Sequence, residues 1–188
     1  MASDISIRQL GPADSDAFFA LRLRGLKAHP AAFGQSYDEA VERGPSQHDA
    51  MLAGTHAALG NFLLGAFSST DGALVGTVGL MRETRQKERH KGFVIGMYVA
   101  DEAAGRGVGR ALLMELLARA AQIDGLRQIT LLVTSANASA RTLYASLGFR
   151  VYGCEPDALC VDGTYHDADL MVRFIDVRAP QTANNAGE

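Results

Sequence analysis

The segment Ala103-Ala104-Gly105-Arg106-Gly107-Val108-Gly109-Arg110 closes a β-type run and opens a helical one. Its glycines at alternate positions let the chain turn tightly and bring bare backbone close to a ligand, so that successive N–H groups aim at one anion. The helix that follows adds the positive end of its dipole. Arg106 and Arg110 flank the turn and can pair with phosphate oxygens, which a purely structural connection would not require. The spacing excludes a P-loop, since no Gly-Lys-Ser/Thr follows, and glycines at 105, 107 and 109 do not fit Gly-x-Gly-x-x-Gly. A ligand-free strand-to-helix connection is the competing reading.

Downstream of the loop, residues 106–121 read as a helix that buries Leu112, Leu113, Leu116 and Leu117 on one stripe and stops before Gly125. Residues 128–133 read as a strand and 138–147 as a second helix. Asn137 stands at that helix's start, where its amide can cap backbone N–H groups or bond a ligand amide, and Gly148 ends it. Tyr144 shares the face of Asn137 and is a candidate proton donor. Strands at 149–154 and 169–174 follow, flanking a loop that contains Asp162-Gly163. The polar tail 179–188 is expected to be disordered.

Upstream, residues 92–99 read as a strand, and 61–67 and 73–81 as two more, joined by the turn sequence Ser-Ser-Thr-Asp-Gly. Residues 5–10 form the first strand candidate. A helix capped by Asp14 or Ser15 then runs to about His29, burying Phe18, Leu21 and Leu26 and turning Arg22, Arg24 and Lys27 outward. Residues 36–42 give a second short helix, with another helical turn near Met51.

With 188 residues, 47% hydrophobic and 21% charged, the composition fits one ordinary folded domain, placed at 1–178. Eighteen Lys and Arg against 21 Asp and Glu give net −3 without a basic run, so no nucleic-acid partner is expected. No stretch of ~18 apolar residues and no signal-peptide core occur, so no membrane span and a cytoplasmic location are expected. Cys154 and Cys160 match no paired zinc signature and read as structural thiols. A homodimer is compatible with the sequence.

The glycine loop and the pattern Asn137-x-x-Ala140-x-x-Leu143-Tyr144-x-x-Leu147-Gly148-Phe149, with Asn137 following Gly107 by 30 positions, together resemble the two signature motifs of the GNAT superfamily of acyl-CoA N-acyltransferases. The resemblance spans residues 73–174. It implies an α/β (α+β) GNAT fold, a mixed and mostly antiparallel sheet of six to seven strands flanked by about four helices and split by a CoA cleft. It also implies acetyl-CoA as cosubstrate, an amine acceptor that attacks the thioester directly in a ternary complex, and no metal.

By that resemblance the loop's Arg/Gln-x-x-Gly-x-Gly/Ala positions fall on Ala104, Gly107 and Gly109, which with Gly105, Arg106, Val108 and Arg110 would hold the CoA pyrophosphate. Ala104 departs from the usual Arg or Gln, removing a side-chain contact but no backbone donor. Met97, Tyr98 and Val99 would face the pantetheine arm, with Gly96 permitting a bulge and a backbone N–H near Val99 holding the carbonyl oxygen. Asn137 would contact the pantetheine arm, and Tyr144 would protonate the leaving thiolate. The family often carries a Glu on the strand before the loop, and residues 93–99 contain none, so Glu83 is the substitute base. His166 and Asp167 are further candidates for base or amine binding, and Phe33 and Tyr37 for the acceptor site. Two rivals stand beside this reading: a catalytically silent acyl-CoA-binding module, and a phosphate-ligand binding protein unrelated to CoA.

Overall fold

The computed structural model describes residues 5–55 and 57–175; the tail expected at 179–188 lies outside them. The strands are β1 (Ile5–Gln9), β2 (Phe62–Ser68), β3 (Leu74–Arg82), β4 (Lys91–Val99), β5 (Gln128–Thr134), β6 (Arg150–Val161) and β7 (Thr164–Phe174). They form one open sheet in the order β1-β2-β3-β4-β5-β7-β6. Every neighbouring pair is antiparallel except β4 with β5.

The helices are α1 (Ser15–Ala28), α2 (Tyr37–Arg43), α3 (Asp49–Leu52), α4 (Val108–Ala120) and α5 (Ala138–Ser146). The one beyond the expected four is α3, a four-residue turn. α2 starts at a capping box: Ser36 Oγ accepts from Glu39 N–H at 3.1 Å and the Glu39 carboxylate accepts from Ser36 N–H at 2.9 Å. Gly44, at φ +68°, closes the same helix.

α4 begins at Val108, two residues later than the apolar pattern suggested, because Gly105 and Gly107 hold φ at +71° and +81°, outside helical space. Its stripe Leu112, Leu113, Leu116 and Leu117 is buried against β2 and β3, each side chain contributing about 1.5–3 kcal/mol of transfer free energy. The close approach depends on Gly76, where an added Cβ would lie 3.0 Å from Leu112.

The last two strands are longer than their sequence pattern. Only Asp162-Gly163 separates β6 from β7, with φ of +49° and +77° as a type I′ hairpin turn requires. The expected loop is therefore mostly strand, interrupted between Glu155 and Leu159 by a bulge at which Asp157 N–H donates to the Asp167 carboxylate.

Candidate functional site

The parallel partners β4 and β5 are hydrogen-bonded only at Lys91–Gln128, Gly92–Ile129 and Phe93–Thr130. Thr130 Oγ1 donates to the Gly92 carbonyl at 3.3 Å beside this apex. Beyond Phe93 the strands diverge, so the facing backbone groups of 94–99 and 131–134 lie on edges inside the sheet, without a strand partner across the gap. Gly96, at φ +57°, lies where the register jumps from Thr77–Tyr98 to Gly79–Ile95, which is a bulge.

A cavity of about 550 Å³ fills this divergence. Met97, Tyr98 and Val99 wall it from β4, and Leu132, Val133 and Thr134 from β5. Ala104, Gly105, Gly107, Val108, Gly109 and Arg110 form one end. The first intrahelical bond of α4 runs from Ala111 N–H to the Gly107 carbonyl, so the N–H groups of Val108, Gly109 and Arg110 have no partner within the helix. Unpartnered N–H groups at a helix start are suited to an anion, and Ala104 removes none of them. Arg110 donates to Ser146 Oγ at 2.9 Å, which steadies its guanidinium at the rim, whereas the exposed Arg106 is not among the lining residues.

α5 supplies the opposite wall. Asn137 is its N-cap, the amide oxygen accepting from Ala140 N–H at 3.1 Å and from Ser139 Oγ at 3.2 Å, and it lines the cavity as well. Two turns later Tyr144 lines the same space while only 7% exposed. Burial pushes its phenol up to about 12, so the hydroxyl keeps its proton throughout the physiological range. Phe149 packs edge-on to its ring at 5.9 Å.

Besides Arg106, four expected residues do not join this cavity. Glu83 N–H bonds the Lys91 carbonyl, the first residue of β4, whereas the cavity is walled by the last three. Six residues of extended strand put about 20 Å between Lys91 and Met97, because the antiparallel hairpin carries the end of β3 to the start of β4. Glu83 is therefore no neighbour of a ligand in the cleft. His166 sits on β7 opposite Leu159, and Tyr37 opens α2; neither lines this cavity. The Asp167 carboxylate is committed to the β6 bulge. Tyr37 lines a second cavity of about 570 Å³ with Lys27, Gln35, Glu39 and Asp162, and Phe33 lies in the wall of both.

The structure also brings in residues that sequence reasoning passed over. His29, the C-cap of α1, and Asp101, just after β4, line the first cavity and meet at 3.3 Å. His29 had served only as a helix stop. Thr134 Oγ1 donates to the Ala31 carbonyl, which ties the end of β5 to the turn carrying His29 and Phe33. Leu132 carried no distinguishing signal, since in the sequence it continues the apolar run of β5; in the structure it is 48% exposed because it faces the cleft rather than the core. No helix among the described residues is long and apolar enough to cross a membrane.

A family model described as "Acetyltransferase (GNAT) family" matches residues 29–149, and the chain belongs to that family. No curated protein matches it by sequence. Among solved structures it resembles a GNAT-family acetyltransferase from Streptococcus pneumoniae, with a TM-score of 0.82 at 23% identity over 91% of this chain and 99% of that one. It also resembles yncA of Salmonella typhimurium, a candidate acetyltransferase solved with its cofactor acetyl-CoA, with a TM-score of 0.78 at 24% identity over 96% and 99% of the two chains. A GNAT phosphinothricin acetyltransferase from Sinorhizobium meliloti in complex with acetyl-CoA superposes with a TM-score of 0.77 at 22% identity over 92% and 89%. The seven-stranded mixed sheet is the sheet expected from the sequence motifs.

Proposed function

We propose that this protein transfers the acetyl group of acetyl-CoA to the nitrogen of a primary amine by direct attack in a ternary complex. The observation that carries the reading is the splay of β4 and β5 with the N-terminus of α4 at its end. An extended pantetheine arm has peptide-like groups that match the unpaired edges of 94–99, and a diphosphate matches the N–H groups of Val108, Gly109 and Arg110. Two structural neighbours hold acetyl-CoA, which supports the same ligand here.

In this reading Gly105, Gly107 and Gly109 let the backbone reach the pyrophosphate, and Asn137 offers its amide nitrogen to the pantetheine arm. A backbone N–H near Val99, on the strand bulged at Gly96, would hold the thioester oxygen, a donor placed where negative charge develops. Tyr144 donates to the departing sulfur. Its raised pKa suits the place, because the desolvation that acts on the phenol also raises the basicity of a thiolate beside it. Phe33, shared by both cavities, shapes the side from which the acceptor enters.

Calorimetric titration with acetyl-CoA, followed by thiol release across a panel of primary amines, tests this. Binding with release from any amine supports it; no binding removes it. The absence of a carboxylate on β4 favours one second reading, a silent acyl-CoA-binding module, for which binding without release from any amine is the signature.

A further inference from the structure

The geometry points to His29, oriented by Asp101, as the group that takes the proton from the attacking amine. This rests on the acetyl-transfer reading above and assigns the base that β4 does not carry. The titratable residues lining the main cavity are His29, Tyr98, Asp101, Arg110 and Tyr144. Phenols and a guanidinium are already protonated at neutral pH, so only His29 and Asp101 are able to accept a proton there. Those two face each other, His29 Nε2 to Asp101 Oδ1 at 3.3 Å.

An ionised carboxylate only accepts, so the Asp101 contact assigns the ring proton to Nε2 and leaves the Nδ1 lone pair available. The imidazole is further held against the Tyr98 ring, centroids 6.0 Å apart. Tyr98 in turn is fixed against α1 at Gly25, where an added Cβ would lie 3.0 Å from the ring. Three elements thus set the imidazole: the end of α1, the end of β4 and the turn Asp101–Ala103. The titratable groups packed around it are Asp101 and the Tyr98 phenol, and the Arg24–Glu102 ion pair at 2.7 Å joins α1 to the same turn.

The step balances without an added reagent. The amine lone pair forms the C–N bond while His29 takes one proton from nitrogen. The C–S bond breaks with its electron pair on sulfur, where Tyr144 supplies a proton. Imidazolium and phenolate then exchange protons with water. His29 would touch the reacting nitrogen and is a catalytic residue; Asp101 acts through it and is a positioning residue.

The test is the pH profile of kcat/KM for wild type, His29→Gln and Asp101→Asn with the best amine of the panel, together with acetyl-CoA calorimetry on each. His29→Gln is expected to lose about 10²-fold or more in kcat and the ascending limb of the profile, with acetyl-CoA Kd within about 2-fold. Asp101→Asn is expected to lower kcat about 10-fold while KM and acetyl-CoA Kd stay within about 2-fold, because the imidazole loses the carboxylate that orients it. Added imidazole should restore part of the turnover of His29→Ala. Wild-type kcat and an unmoved limb in His29→Gln would overturn the assignment while leaving acetyl transfer intact. A wild-type protein that binds acetyl-CoA but releases thiol with no amine would overturn both.

Discussion

Arg141 Nε on α5 stands 2.6 Å from Asp169 Oδ2 on β7, and the Asp169 carboxylate also accepts from Ser135 Oγ at 2.7 Å. Asp169 is 6% exposed, whereas the Arg141 side chain keeps 43% of its surface in water. This contact pins the start of α5, and with it Asn137, to the far side of the cleft. Asp169→Ala should lose about 1–3 kcal/mol in urea unfolding, less than a fully buried pair because Arg141 can rehydrate, and should weaken acetyl-CoA binding through Asn137. A loss below about 0.5 kcal/mol would mean that the pair does not hold the helix.

Tyr144→Phe removes one hydroxyl from a buried ring. Turnover should fall by about 10²-fold or more while acetyl-CoA Kd changes less than about 2-fold, since the proton is needed only as sulfur departs. Unchanged turnover would exclude Tyr144 as the acid.

The same phenol makes stability depend on alkaline pH. Its folded pKa, about 12, lies above the unfolded value near 10, so its contribution is complete below pH 10 and is lost as pH rises through 12. The wild type should therefore lose about 3 kcal/mol across that window relative to Tyr144→Phe. Parallel denaturant titrations at pH 9 and above pH 11 measure the difference.

His48 sets the opposite limit. Burial, reinforced by the nearby Arg22 guanidinium, pulls its imidazole down to about 4. A depressed folded pKa means that stability is fully present above pH 6.5 and falls as pH drops through 4. After discounting for partial exposure, the loss should be about 1–2 kcal/mol, and His48→Phe, which keeps a ring against Phe18, should flatten it. Equal acid sensitivity of the two proteins in thermal melts at pH 7 and 4.5 would refute this.

Gly107→Ala tests the loop. At φ +81° a Cβ is strained, costing about 1–2 kcal/mol, and with no protein atom within 4 Å it would project into open space at the mouth of α4. Acetyl-CoA affinity should drop about 10-fold or more. Gly11→Ala, at φ −130° and equally uncrowded, is the control expected to leave binding unchanged.

Much of this architecture was legible because its causes are local. The leucines of α4 repeat at helical spacing, the glycines of 105–109 mark where a helix cannot yet begin, and Asn137 and Gly148 bracket α5. The length of the β6–β7 hairpin was less so, because the outward faces of both strands are polar or only partly buried and carry little hydrophobic alternation.

By itself, then, the sequence determined the elements, the glycine turn that opens α4 and the paired motifs of Gly107 and Asn137. Periodicity, capping and turn chemistry act over a few residues, and a linear chain displays them directly. Only the tertiary structure decided that β4 and β5 part after Phe93, that Glu83 lies at the wrong end of its hairpin, and that His29 meets Asp101 across 72 positions. Those outcomes follow from strand order, direction and twist, which arise when distant segments pack against one core and are written in no single stretch of chain.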